Sequence, residues 1–380
     1  MAWSYRFSKP VTRLARGLFE QQYKHGSSKQ SALKPKPGLE IEDWLAIGDG
    51  LHNMTTDLVD WNGWFYLAYV SSPWHIGSHE SRVCIQRSKD AHTWEQVKEF
   101  KTSDGSDIRD PKLVVIDGKL FLYVLRNVGV VAEPSQTAYC FTANGTDWSQ
   151  IADCEPSQWL FWRPKSPNGV DWYVAAYWYK HGKSILLHST DGKSWKKVSD
   201  IYEGDFNDET DLEFLPDGRM LVTARLEMTG SIFGHKQACT WVGVSAAPYT
   251  SWTGVKCEKT RLDGPNLFSW NGKVYGLGRR HLDRQKWGEY RGSLFGRKRT
   301  SLYRVTEQGL QHVTDLPSSG DTSYPGVVIR DEQLFVSYYT NRPDHDYPSF
   351  VGLFLPSQIR MAKLDLSKLD ALDTQFTSLS

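Results

Sequence analysis

"FNDETDLEFLPDGRMLVTAR", residues 206–225, sets Glu209 and Asp211 at the entrance of one alternating apolar run and Arg225 at the exit of the next. Asp217-Gly218 separates the two runs. Asp-Gly or Asn-Gly between alternating runs is the strongest short-range hairpin signal, because a tight turn needs left-handed backbone that these residues adopt cheaply. One such hairpin with an acidic entrance is an ordinary solvated surface feature. A recurring one decides the architecture.

The hairpin recurs. It appears as "TTDLVDWNGWFYLAYV" (55–70), "RDPKLVVIDGKLFLYVL" (109–125), "WRPKSPNGVDWYVAAYW" (162–178) and "DGPNLFSWNGKVYGLGRR" (263–280). A last copy, "TSYPGVVIRDEQLFVSYY" (322–339), carries Asp-Glu at its turn. The turns fall near residues 63, 118, 169, 218, 272 and 331, roughly 50 residues apart, which is the spacing of propeller blades. A second pattern follows the first three hairpins: "SKDAHTW" (88–94), "TANGTDW" (142–148) and "STDGKSW" (189–195), with an echo ending at Trp252. A hydroxyl, an Asp or Asn and an indole at fixed offsets make a self-bonding turn pinned by a buried ring. The pattern predicts an all-β chain: a six-bladed β-propeller of four-stranded antiparallel blades over residues 41–380, preceded by a basic extension and linker at 1–40.

Composition is consistent with this. The chain has 380 residues, 39% hydrophobic and 13% aromatic, enough for a large core rich in strand-favouring side chains. A net charge of +1 exerts no bulk pull toward nucleic acid. No apolar run is long enough for a transmembrane span. The first residues lack a continuous apolar stretch of the secretory kind, so a cytoplasmic location is expected. Five scattered cysteines, without a Cys-x-x-Cys, argue against a disulfide framework and a zinc site, and no metal or cofactor is expected. Residues 1–36 hold eight Lys/Arg against one Glu, and Val11, Leu14, Leu18 and Phe19 share a helical face. Such a segment is expected to pack on the propeller or a sister subunit rather than on a membrane.

In a propeller the innermost strands line one channel, so the residues at their entrances converge. Those residues are His52, Asn53 and Asp57; Arg109, Asp110 and Lys112; Trp162, Arg163 and Lys165; Glu209 and Asp211; Asp263 and Asn266; and Asp321 and Tyr324. A packed plug is expected to be apolar, so a polar ring points to a ligand-binding mouth. Bland alternatives stay open: Asp110 capping a turn beside Pro111, Asp211 bonding backbone amides, Trp162 in the core.

The three seven-residue turns match the Asp-box pattern, and residues 50 to 365 resemble the sialidase superfamily of six-bladed propellers. The resemblance implies a glycoside hydrolase with Tyr324 as nucleophile and Glu209 as its base. It also implies an arginine clamp for a sugar carboxylate, drawn from Arg225 and from Arg279 or Arg280. The chain departs from the family in blade one. Met54 stands where an arginine is expected, and the loop "SSPWHIGSHES" (71–81) offers His75, His79 and Glu80 but no acid/base Asp. Asp110, Asp57 and His75 are the remaining candidates for catalytic acid or base. Arg109, Lys112, Arg163, Asp211, Trp162, Asn266, Asp321 and His52 complete the expected carbohydrate-binding set. The expected partner is an acidic sugar other than the ordinary sialidase substrate. A lyase acting beside a uronate carboxylate and a non-catalytic glycan-binding propeller are the competing functions.

Overall fold

Four of the six hairpins turn through two successive left-handed residues: Asn62-Gly63 (φ 53 and 72), Asp117-Gly118 (50 and 69), Asn271-Gly272 (47 and 73) and Asp331-Glu332 (52 and 59). This is the turn whose twist matches that of paired strands. The last pair adopts it without a glycine. The computed structural model describes residues 39–369 except 103–104, 128–132, 283–287 and 347, together with positions 14, 17 and 18. The helical stripe of the N-terminal extension lies largely outside the described residues.

The described strands form six four-stranded antiparallel sheets. Blade one comprises β2 (His52–Trp61), β3 (Trp64–Ser72), β4 (Arg82–Ser88) and β5 (Glu95–Phe100). Blade two comprises β6 (Asp107–Ile116), β7 (Lys119–Asn127), β8 (Gln136–Thr142) and β9 (Ala152–Asp153). Blade three holds β10 (Trp159–Phe161), β11 (Trp172–Trp178), β12 (Lys183–Ser189) and β13 (Lys196–Glu203). Blade four holds β14 (Asn207–Phe214), β15 (Met220–Leu226), β16 (Cys239–Ser245) and β17 (Thr253–Cys257). Blade five is built from β18 (Asp263–Trp270), β19 (Lys273–His281), β20 (Lys298–Thr306) and β21 (Gly309–Asp315). Blade six runs β22 (Thr322–Arg330), β23 (Gln333–Thr340) and β24 (Gln358–Asp365), and its outer strand is β1 (Ile41–Ile47), from the other end of the chain. That pairing closes the ring and covers the edge that β24 would otherwise expose.

Apolar clusters fill the spaces between neighbouring blades. Phe121, Tyr123, Phe161 and Trp195 pack between blades two and three, and Phe268, Tyr275, Leu334 and Tyr338 between blades five and six. The five cysteines are buried and unpaired. No helix among the described residues is long and apolar enough to cross a membrane.

Two local features depart from the sequence expectation. The inner strand of blade three is only three residues long, and beyond it pairing shrinks to the Trp162 N–H bond to the Ala175 carbonyl and a bridge between Lys165 and Tyr173, because Pro164 and Pro167 cannot donate to a ladder. The other five inner strands share a bulge at one level, where pairing slips between Met54/Asp57, Arg109/Lys112, Asn207/Thr210, Asp263/Asn266 and Ser323/Gly326. Four of these bulges hold a left-handed residue: Thr55, Asp110, Gly264 and Tyr324. A bulge re-aims side chains without ending the strand. Here five of them re-aim the channel lining together.

The seven-residue turns join the third and fourth strands of blades one to three. Asp90, Asn144 and Asp191 each accept backbone N–H bonds from the residues two and three positions on, at 2.8–3.0 Å. The same bonds recur at Asn168 in "SPNGVDW" (166–172), where the pattern sits within a first hairpin. At the fourth-blade echo the Trp252 indole instead donates to Ser199 Oγ, 3.0 Å away.

Candidate active site

Tyr324 holds left-handed backbone (φ 48) in the bulge of blade six, just before Pro325. Its ring lies against Gly264 of blade five, where an added Cβ would stand 2.8 Å from Tyr324 Cδ2, so only glycine fits there. The phenol donates to Glu209 Oε1 from blade four. The other oxygen of Glu209 accepts from the Gly264 N–H at 2.7 Å and faces Arg225 Nη1 at 3.0 Å. Burial pushes the Glu209 carboxyl up to about 7, against the pull of Arg225. Burial and then the charge of Glu209 hold the Tyr324 phenol well above its ordinary value. The phenol proton and the Glu209 carboxylate are thus already in contact.

Asp110 stands beside the pair, half-buried and left-handed (φ 50). Among the described residues its carboxylate has no hydrogen-bond partner, and its charge acts on Tyr324, Tyr177 and Tyr339. Arg109 is held by Asp107 (Nε to Oδ2, 2.7 Å) and donates to the His75 carbonyl at 3.3 Å. Lys112 Nζ bonds the Asp110 and Pro111 carbonyls and lies 4.5 Å from the centre of the Trp162 ring. Burial, then Arg163, lower this ammonium to about 8.

The arginines divide by face. Arg279 points inward and is buried beneath Tyr324 at 5.3 Å from its ring centre. Arg280, next along the strand, turns to Asp315 (2.8 Å), because successive side chains of a strand face opposite ways. Both inward forks already hold protein groups. Arg225 bonds Asp208 through Nε (2.6 Å) and Nη2 (2.5 Å), and Arg279 bonds the Thr322 carbonyl (2.7 Å) and Tyr339 Oη (2.8 Å). Both guanidinium groups are therefore satisfied within the protein.

Deeper in the channel the expected polar ring is a plug. Arg163 bonds Asp57 (3.2 Å) and the carbonyls of Pro265 (2.6 Å) and Pro325 (2.9 Å). Trp162 donates to the Pro265 carbonyl and Asn266 to that of Pro325, while Asp211 accepts from the Leu267 N–H. Asp57, Arg163, Asn266 and Asp211 thus bridge blades rather than project beside Tyr324, whereas the buried Trp162 ring both bridges and packs against Tyr324, 6.1 Å between ring centres. The expectation that a plug would be apolar is corrected: buried polar groups suffice when each is bonded across the ring. A cavity of about 240 Å³ lies beyond this plug, lined by Asp57, Leu113, Lys165 and Leu267 among others, and does not touch Tyr324 or Glu209.

Several functional neighbours escaped the sequence reading. Asp208, His181 and Glu227 surround Arg225, and those two acids outweigh the cost of burial and hold His181 charged, up to about 10. Arg261 and His281 grip Asp263 at 2.6 and 2.7 Å. Lys298 is buried near Arg279, and burial lowers it to about 7. One signal was available: Asp107/Arg109 and Arg261/Asp263 are opposite charges two apart, hence on one face of a strand. Asp321 joins His52 (3.1 Å) and His75 (2.6 Å).

No protein-family profile and no curated protein matches the chain. Solved structures do. A mutant Trypanosoma rangeli sialidase displaying trans-sialidase activity shares 14% identity at TM-score 0.62, over 90% of this chain and 61% of that one. The phage phi92 endosialidase shares 12% identity at TM-score 0.60, over 86% of this chain and 69% of that one. A point mutant of NanB sialidase from Streptococcus pneumoniae shares 12% at TM-score 0.60, over 86% and 70%. This chain thus spans less than two thirds of the Trypanosoma rangeli enzyme. The fold formed by residues 41–365 is that of the sialidase-like six-bladed β-propellers.

Proposed function

We propose that this protein is a retaining glycoside hydrolase in which Tyr324 is the nucleophile, Glu209 its base and Asp110 the acid/base. The supporting observation is the direct Tyr324–Glu209 hydrogen bond between blades six and four, under Arg225. In the first step Tyr324 Oη bonds the anomeric carbon as its proton passes to Glu209. The glycosidic C–O bond breaks, and Asp110 supplies the proton that the leaving oxygen takes. In the second step Asp110 draws a proton from water, water displaces the phenolate, and Glu209 returns the proton to it. Asp110 is preferred because it is half-exposed and unbonded, whereas Asp57 lies in the plug and His75 leans on Asp321. The substrate proposed is an acidic sugar whose carboxylate exchanges with Asp208 or Asp321 at Arg225 and Arg279.

Incubation with 2-fluoro or 3-fluoro glycosyl fluorides of acidic and neutral sugars, followed by peptide mass spectrometry, tests this. The expected result is one glycosyl adduct on the peptide containing Tyr324. Trapping by neutral sugars alone would remove the acidic-substrate part and keep the pair. An ultraviolet-absorbing unsaturated product with no adduct would identify a lyase. Ligand-induced stabilisation without any product would identify a binder.

Acidity gives a second expectation. Glu209 serves as base only when ionised, so kcat/KM should rise with pH through about 7, where burial places its carboxyl. A profile whose acid limb lies near the ordinary glutamate value, about 4.3, would show that Glu209 is not the ionising base.

A further inference from the structure

One cluster beside the mouth, which shares Asp321 with the proposed carboxylate clamp, supplies no group to the bond-making and bond-breaking steps. His52, from blade one, is fully buried, and its Nδ1 lies 2.7 Å from the Leu355 carbonyl. A carbonyl oxygen has no hydrogen, so Nδ1 must carry the one they share. In a neutral imidazole Nε2 then presents a lone pair, and here it faces Asp321 Oδ2 at 3.1 Å. The His75 ring, from the loop after the first hairpin, brings its Nδ1 within 2.6 Å of the same oxygen. That nitrogen is buried yet lies outside hydrogen-bond alignment with any partner. His52 Nε2, His75 Nδ1 and Asp321 Oδ2 therefore converge, all within 4.8 Å of one another. Protons alone satisfy them only if His75 carries its hydrogen on Nδ1 and His52 carries a second one on Nε2, which puts a fully buried imidazolium on the same carboxylate as Arg279. A metal ion satisfies all three with both rings neutral.

We propose that His52 Nε2, His75 Nδ1 and Asp321 Oδ2 form a binding site for one divalent transition-metal ion. Two imidazoles and one carboxylate suit zinc, manganese, cobalt or nickel better than calcium or magnesium, which favour all-oxygen shells. The surroundings already hold the ligands in place. The Leu355 carbonyl fixes the His52 ring, and Tyr339 Oη (2.9 Å) and Arg279 Nη2 (3.3 Å) occupy the other oxygen of Asp321, leaving Oδ2 for the ion. Arg279 and the ion thus share one carboxylate, which offsets part of their repulsion. The His75 side chain is 21% exposed although its Nδ1 is buried, so an ion would reach the site past the edge of this ring. The inference does not rest on the Tyr324–Glu209 chemistry, and it revises the expectation of a metal-free protein.

The test is titration of the chelator-treated full-length protein with Co²⁺, read by visible absorption, and with Zn²⁺, read by calorimetry. One ion per chain is expected. His75→Ala and His75→Gln should each weaken it by at least about tenfold, with near-ultraviolet circular dichroism unchanged. His181→Ala, at the other histidine–carboxylate cluster, should leave it intact. Wild-type protein that takes up no ion, with both His52 ring nitrogens protonated by ¹⁵N NMR, overturns the proposal. So does an ion that survives both His75 substitutions or is lost with His181.

Discussion

Replacing Tyr324 by phenylalanine is expected to lower turnover by on the order of 10⁴-fold or more, about 5 kcal/mol of barrier, while the propeller stays folded. Glu209→Gln should cost a comparable amount. The double variant should be little worse than either single one, because the phenol and carboxylate act as one unit joined by a hydrogen bond. The stability cost should be small beside this. Tyr324→Phe removes one buried hydrogen bond and leaves one carboxylate oxygen short of a donor, a loss of about 1–3 kcal/mol. Glu209 keeps its bonds to Gly264 and Arg225, so it is not stranded. Measuring kcat on a trapped-substrate class, together with urea unfolding, separates the roles. A drop in unfolding free energy with the rate preserved would make Tyr324 a packing residue and end this mechanism.

The hairpins and their spacing were legible because turn chemistry is local. Asn62-Gly63 and Asp117-Gly118 state in two letters a conformation that fixes the register of the strands around them. Ring closure was less legible. Nothing in Ile41–Ile47 says that it pairs with Gln358–Asp365 rather than starting a blade of its own. Glu209, Arg225 and Tyr324 could be placed together because each holds a fixed position in its hairpin. Arg279 and Arg280 could not be separated, since which of two neighbours faces the channel depends on a bulge upstream. The X-Pro pairs at Asp110-Pro111, Gly264-Pro265 and Tyr324-Pro325 were the available trace of those bulges. Their meaning appears only when left-handed φ values line up across blades. Polar residues in the channel were legible as a ring, but not as two layers. Arg163 and Asn266 are indistinguishable by sequence from groups that meet a ligand, yet both end on backbone carbonyls of other blades.

The largest stability loss is expected at Asp263, which had looked like one more entrance acid. Its oxygens accept from Arg261 Nε (2.6 Å) and Nη2 (2.9 Å) and contact His281 Nε2 at 2.7 Å, with Arg279 Nη1 3.5 Å and Arg225 Nη1 3.9 Å away. Asp263 is fully buried, so its removal leaves buried guanidinium groups short of their counter-charge. Breaking a buried ion pair from one side costs about 3–5 kcal/mol, and Asp263→Ala should fall in that range by urea unfolding at pH 7. Asp263→Asn keeps the shape and loses the charge, so it should recover only part. A useful contrast is Asp90→Asn on an outer turn. Asn144 already performs that job in the next blade, and the change should lie within about 0.5 kcal/mol of wild type. Burial alone would raise the Asp263 carboxyl, but Arg261, His281 and Arg225 hold it well below its ordinary value. A depressed acid stabilises the fold at every pH above its unfolded value, about 3.9, and that contribution fades only as pH falls below it toward the folded value. The gap between wild type and Asp263→Asn should therefore be constant from pH 7 to pH 5 and begin to close below about 4. A gap that closes already near pH 6 would mean that a histidine, not Asp263, carries the coupling. An Asp263→Ala chain as stable as wild type would mean that the cations reach solvent without it, and that apolar packing between blades four and five holds that side of the ring alone.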